Sequence, residues 1–157
     1  ALRYEGAEQI RYIRALLDDL QIMTYQPVWE ICPEMPKDKM DLHIQACASP
    51  DRKTLCVYFP SGGTAALKLD AFWDAPEVFL WWYNPRDGKF YKDEQTTTDQ
   101  PESTALAGAD LTVSAPSAGE EKDWVLLIMT EQTGIPVKVK FCPQQEEAQE
   151  IKKVFEW

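Results

Sequence analysis

Four groups of residues in this chain could carry chemistry: its acids, its four cysteines, one histidine and a dense run of aromatics. Hydrolysis of a glycosidic bond needs two carboxyls held about 5 to 9.5 Å apart across it. No such pair is marked out, and no catalytic residue is assigned. Asp18 and Asp19 are adjacent on a helical stretch and so point apart, while Glu120, Glu121 and Asp123 fall in a polar loop, the pattern of a solvated surface. His43 alternates with Leu42 and Ile44, and with no second imidazole it makes no ordinary zinc site; neither a metal nor a cofactor is expected. Ser61-Gly62-Gly63 lacks the flanking residues of a nucleophile elbow or a phosphate loop and reads as a turn.

Cys32, Cys47, Cys56 and Cys142 form an even set without CxxC spacing, which fits either disulfides or free buried thiols. If Pro50 to Lys53 is a hairpin loop, Ser49 faces Thr54 and Cys47 falls opposite Cys56, with Cβ atoms about 4.5 to 5.5 Å apart. A cross-strand disulfide fits there. Cys32 and Cys142 would then be left to each other, and closing so long a loop would contribute about 4 to 5 kcal/mol on the chain-entropy view.

The aromatics offer a binding face or a core. Leu80-Trp81-Trp82-Tyr83-Asn84-Pro85-Arg86-Asp87-Gly88-Lys89-Phe90-Tyr91 reads as two strands about a tight turn, with Pro85 presetting φ and Gly88 supplying a positive φ. Trp81 and Tyr83 share one side of their strand, and Leu80 and Trp82 the other. Flat rings dock sugars and proline-rich strands, so Trp81, Tyr83 and Tyr91 are candidate platform residues with Arg86 at the turn tip. Burial of the same rings beneath a covering element remains open.

The surrounding elements follow from periodicity. From Gly6 to Leu20, Ile10, Ile13, Leu17 and Leu20 recur at three and four, widened by Tyr12 and Leu16, which predicts an amphipathic helix. Residues 23–41 hold Pro27, Pro33 and Pro36 with no sustained period and read as an irregular linker. Short β runs follow at 42–48, 54–59, 65–70, 78–83, 89–92, 111–115, 124–130 and 137–141, with 93–108 and 117–122 as exposed loops. Ala148, Ile151, Val154 and Phe155 lie on one helical side of the tail. The expectation is an all-β fold, an antiparallel β-sandwich with an N-terminal amphipathic helix and a short C-terminal helix. Its parts are the helix at 1–22, the linker at 23–41, the sandwich at 42–142 and the helical tail at 143–157.

A formal net charge of -10 argues against binding a phosphate backbone, and no apolar run approaches the roughly 18 residues of a membrane span. The chain opens at Ala1 without a basic-then-apolar leader, so a piece of a longer or processed protein is expected.

Three stretches taken together carry a family resemblance. They are Cys56-Val57-Tyr58-Phe59-Pro60-Ser61-Gly62, Trp82-Tyr83-Asn84-Pro85-Arg86-Asp87-Gly88 and Asp123-Trp124-Val125-Leu126-Leu127-Ile128. In order and spacing the chain resembles the putative collagen-binding domain at the C-terminus of apiosidase-like glycoside hydrolases. Asn84 stands where that family usually has Asp, Asp87 where it has Thr, and the cysteines and the tail from Gly134 are further departures. The resemblance implies a non-catalytic accessory sandwich in a secreted or extracellular protein, following a catalytic TIM barrel of the same polypeptide that would carry the hydrolytic carboxylates. The helix at 1–22 would then be the connector to that barrel or its last helix. The role implied is packing on the barrel, or holding collagen or another substrate polymer; a carbohydrate-binding module with an aromatic platform is the alternative, and an enzyme with an unrecognised carboxylate site a further one.

Overall fold

The computed structural model describes residues 5–28, 43–69, 77–105 and 110–137. Helix α1 (Glu5–Leu20) is followed by a short 3-10 turn at Ile22–Thr24. Nine strands come next among the described residues: β1 (Gln26–Val28), β2 (Gln45–Ala48), β3 (Thr54–Phe59), β4 (Gly62–Lys68), β5 (Glu77–Asn84), β6 (Lys89–Tyr91), β7 (Glu102–Ala105), β8 (Asp110–Ala118) and β9 (Trp124–Met129). The expected helical tail, the strand at 137–141 beyond its first residue, the linker beyond Val28, and Cys32 and Cys142 lie outside the described residues.

The strands make two antiparallel sheets. The larger runs β1-β2-β3-β9-β5-β6, and the smaller pairs β4 with β8. Along its outer edge β5 meets two partners in succession, with Leu80 opposite Glu102 of β7 and Trp82 opposite Tyr91 of β6. Two strands lie where the sequence reads as linker and loop. Gln26-Pro27-Val28 and Glu102-Ser103-Thr104-Ala105 are short and show no apolar alternation. Both sit at sheet edges, where one set of backbone groups goes unpaired and Pro27 costs no ladder bond.

Side-chain parity builds a core on each face of the large sheet. Leu55, Val57, Phe59, Val78, Leu80, Trp82, Trp124, Leu126 and Ile128 meet Leu67 and Val113 of the small sheet. On the opposite face Cys56, Trp81, Tyr83, Val125, Leu127 and Met129 meet Leu16 of α1. β9 is therefore buried along its whole length, which explains a strand that is apolar throughout rather than alternating. Layers of helix, sheet and sheet give the expected sandwich with an N-terminal helix.

The helix docks by a different stripe from the one its sequence suggests. Tyr12, Ala15, Leu16 and Leu20 touch the sheet side, whereas Ile10 is 66% and Ile13 44% exposed. Tyr83 fixes this rotation, its phenol donating a 2.6 Å hydrogen bond to the Tyr12 carbonyl. Burial holds the Tyr83 phenol far above the ordinary tyrosine range, so it remains a donor.

Backbone geometry at one turn closes the sandwich. Gly62, at φ +60°, ends the β3–β4 corner so close to the opposing chain that a Cβ there would sit 1.9 Å from the Ser117 carbonyl oxygen. Gly119 N–H donates to Ser61 O at 2.9 Å beside it. Only glycine fits that approach.

Candidate functional site

The three stretches that carry the family resemblance converge on the β5–β6 turn. Asn84 Oδ1 accepts a 2.9 Å hydrogen bond from Arg86 N–H, and Asn84 O accepts one of 2.8 Å from Gly88 N–H at φ +74°. The amide oxygen thus makes the turn bond that a carboxylate oxygen could make, so asparagine replaces aspartate there without loss of geometry. Asp87 Oδ1 accepts from Lys89 N–H at 3.0 Å, and its second oxygen accepts from the Tyr91 hydroxyl. That bond to a carboxylate raises the Tyr91 phenol above its ordinary value.

The turn so formed aims Arg86 at the start of β9. Its Nη2 donates to Asp123 O at 3.4 Å, and Nε lies 3.4 Å from Asp123 Oδ1. That distance allows Coulomb attraction, but the geometry is wrong for a hydrogen bond, and among the described residues the Nε–H has no hydrogen-bond partner. The guanidinium carbon sits 5.2 Å from the centre of the Trp124 ring. Trp124 in turn meets the Tyr91 ring edge-on at 5.4 Å and donates from Nε1 to Ser117 Oγ at 2.9 Å. From β3, the Tyr58 hydroxyl donates to Asp123 Oδ2 at 3.2 Å, and burial first, then the Asp123 charge, pushes its pKa up.

Asp123 therefore ties β3, the β5–β6 turn and β9 at one end of the sandwich. Side chains of Arg86 and Asp123 are 27% and 26% exposed, and Tyr58 is 40% exposed, so the cluster presents a small polar and aromatic surface to solvent. Its charges are committed to one another. The arrangement is built to hold strands together, and its exposed rim is what remains for a partner to touch.

The four residues expected at a binding face are not brought to one face. Trp81 is 1% and Tyr83 0% exposed, and each packs against Phe90, with ring centres 5.0 and 5.2 Å apart. Tyr91 pairs with Trp82 across the hairpin and so lies on the opposite face of the sheet. A platform of Trp81, Tyr83 and Tyr91 is thus corrected on two physical grounds: the first two rings are buried in the core on the α1 face, and strand parity separates them from the third. Arg86 and Tyr91 do meet, with Trp124 as the ring both contact.

Sequence reasoning missed Asp123 and Trp124 as the partners of Arg86, and Tyr58 as the hydrogen-bond donor to Asp123. Their signal was present, since all three lie in the stretches quoted for the resemblance, but those stretches are distant in sequence. Beside this cluster, Leu80, Trp82, Tyr91, Lys92, Thr98, Gln100 and Glu102 line a cavity of about 20 Å³. That is room for one water and too small for a sugar ring.

At the other end of the large sheet, β2 and β3 place Cys47 opposite Cys56 in the expected register. Both are free thiols, so no disulfide joins them in this structure. Among the described residues no group of three or more Cys, His, Asp or Glu is placed to hold a metal.

Comparison with known proteins places this geometry in context. No curated protein sequence matches the chain. Among solved structures, one described as a glycoside hydrolase superposes with a TM-score of 0.60 at 18% identity, covering 79% of this chain and 25% of that one. A glycoside hydrolase family 5 structure from Bacteroides vulgatus gives 0.62 at 17% identity, covering 87% and 26%. At these identities the likeness shows the fold, and the chain spans about a quarter of the length of either structure. A family model described as "putative collagen-binding domain of a collagenase" matches residues 34–129, which contain all three converging stretches, and the chain belongs to that family.

Proposed function

We propose that the chain is a non-catalytic accessory sandwich of a glycoside-hydrolase-like polypeptide, packing on a catalytic barrel of the same protein and helping to hold a substrate polymer such as collagen or a polysaccharide. The family match carries this reading: its description is of a binding domain, and the matched region holds the sandwich and its Arg86–Asp123 cluster. That this chain covers only about a quarter of each of these glycoside hydrolase structures supports the barrel as the partner. Ile10 and Ile13 on the uncovered side of α1, with Met23 89% exposed just beyond it, form the apolar surface assigned to that contact. The helix then serves as the connector, one side on its own sheet and the other on the barrel. An extracellular location follows from the substrates named.

With Trp81 and Tyr83 covered, polymer contact falls to the exposed rim around Tyr58, Arg86 and Tyr91. The test is pull-down and calorimetric titration of the isolated chain against fibrillar collagen and a panel of plant polysaccharides, with Tyr58→Ala as the comparison. Binding of one polymer, weakened by Tyr58→Ala, supports the rim. Binding to neither leaves packing on the barrel as the whole role. Turnover of a glycoside by the isolated chain, abolished by a single carboxylate substitution, would overturn the non-catalytic assignment.

A further inference from the structure

We propose that Cys47 and Cys56 form a two-thiol exchange site, in which Cys47 attacks an external low-molecular-weight disulfide and Cys56 resolves the adduct into a Cys47–Cys56 bond. This assignment is independent of what the domain binds.

The site is built by its turn. Ser49 N–H donates to Thr54 O at 2.9 Å, and Ser49 Oγ accepts from the N–H of Thr54 at 3.0 Å and of Lys53 at 3.2 Å. The same hydroxyl donates to Asp51 Oδ1 at 2.6 Å, and Asp51 Oδ1 accepts from Lys53 N–H at 3.1 Å. Arg52 takes φ +56° within the loop. These bonds fix the register that sets Ala48 against Leu55 and Cys47 against Cys56. Since Ser49 and Thr54 are a hydrogen-bonded pair, the pair two residues along is of the same kind, with Cα atoms about 5.5 Å apart. Disulfides span Cα separations of about 4.4 to 6.8 Å, which this pair meets, and closing the bond draws the Cβ atoms in from about 5 Å to about 4 Å, a small local shift of β2 toward β3.

The two thiols are unequal. Both lie on the α1 face of the sheet, Cys56 on an inner strand at 8% exposure and Cys47 half-buried nearer the edge. A hydrogen bond from Cys56 holds Cys47 below the ordinary thiol range, whereas that bond and burial push Cys56 up. The reachable sulfur is therefore also the one with more thiolate character, which is the requirement for attack.

The exchange balances. The Cys47 thiolate attacks one sulfur of a small disulfide, that S–S bond breaks, and one small thiolate leaves. Cys56 then gives its proton to solvent and attacks the Cys47 sulfur, expelling the second small thiolate. Two protein thiols are oxidised by two electrons, and the small disulfide is reduced to two thiols. The product ties β2, which carries edge strand β1, covalently to β3.

The test uses the full chain with Cys32→Ser and Cys142→Ser, incubated with glutathione disulfide and followed by mass spectrometry of intact protein and non-reduced peptides. Loss of two hydrogens, with Cys47 and Cys56 in one linked peptide pair, is expected. In that background Cys56→Ser should accumulate one glutathione adduct on Cys47, and Cys47→Ser should react about tenfold more slowly or less. Adducts on Cys56 as fast as on Cys47, or adducts without the internal bond, would refute the assignment. Should a serine variant lose its native circular dichroism, the order of iodoacetamide labelling in the two-thiol protein decides instead. Cys47 labels first if the proposal holds, and equal rates sink it.

Discussion

Replacing Leu16 with alanine tests whether α1 closes the aromatic face of the large sheet. Leu16 is 5% exposed, while Tyr12, Ala15 and Leu20 around it are only partly buried. Burial of one leucine contributes about 1.5 to 3 kcal/mol, and the Tyr83 hydrogen bond to the Tyr12 carbonyl about 0.5 to 1.5 kcal/mol more. Docking of the helix thus rests largely on Leu16. The substitution removes about 2 to 3 kcal/mol, the low end for a leucine, because helix and sheet can partly close the gap. At about 1.4 kcal/mol per tenfold, that is roughly a thirty- to hundred-and-forty-fold rise in local opening. Amide hydrogen exchange is the assay. Amides of α1 should speed up by that factor, while those of β9, covered on both faces, should change far less. Acrylamide quenching of Trp81, taken as the difference from a Trp81→Phe protein, should rise with it. Unchanged exchange in α1, or a Trp81 as quenchable in the parent as in the variant, would show that the helix does not cover this face and would restore Trp81 and Tyr83 as an open platform.

Two further outcomes follow from the same geometry. A double-mutant cycle of Arg86→Ala and Asp123→Ala, read by urea unfolding, should give a coupling of about 0.5 to 1 kcal/mol that shrinks in high salt, because the pair is three-quarters covered but still screened; no coupling would mean that the turn and β9 are held by packing alone. Tyr83 is neutral when protonated and its folded pKa is raised, so its contribution is intact below the ordinary tyrosine value and is lost as pH climbs above about 10. The urea midpoint should therefore fall between about pH 9 and 11, and less steeply in Tyr83→Phe, with equal slopes counting against burial as the cause.

Much of the architecture was legible because its causes are local. Thr54–Phe59 alternates and forms β3 with those bounds, and the apolar run from Trp124 forms β9. The Asn-Pro-Arg-Asp-Gly turn carries its own φ preferences and closes the hairpin where expected. Cys47 opposite Cys56 followed from counting a four-residue loop. The edge strands β1 and β7 were not legible, since neither has a buried face to impose alternation and both exist only because a neighbouring strand offers its backbone. The candidate site was half legible. Arg86 and Tyr91 could be picked out as a charge and a ring near a turn, but Asp123 and Trp124 reach them from a part of the chain distant in sequence, and Tyr58 reaches Asp123 from another.

By itself the sequence determined most of the secondary elements, though not β1 and β7, together with the turn chemistry and the family, because periodicity and φ preference act over a few residues and the three family stretches survive as short strings. It also determined that α1 is a helix whose apolar stripe of Ile10, Ile13, Leu17 and Leu20 is widened by Tyr12 and Leu16. Tertiary structure alone decided which side of that widened stripe faces the sheet, because that depends on where the Tyr83 hydroxyl and the core residues around Leu16 lie across the interface. It decided equally that the aromatic hairpin is buried on both sides, against a second sheet on the Trp82 face and within the core that Leu16 of the helix joins on the Trp81 face. Burial is a property of what lies opposite a strand, and no spacing within the strand encodes it.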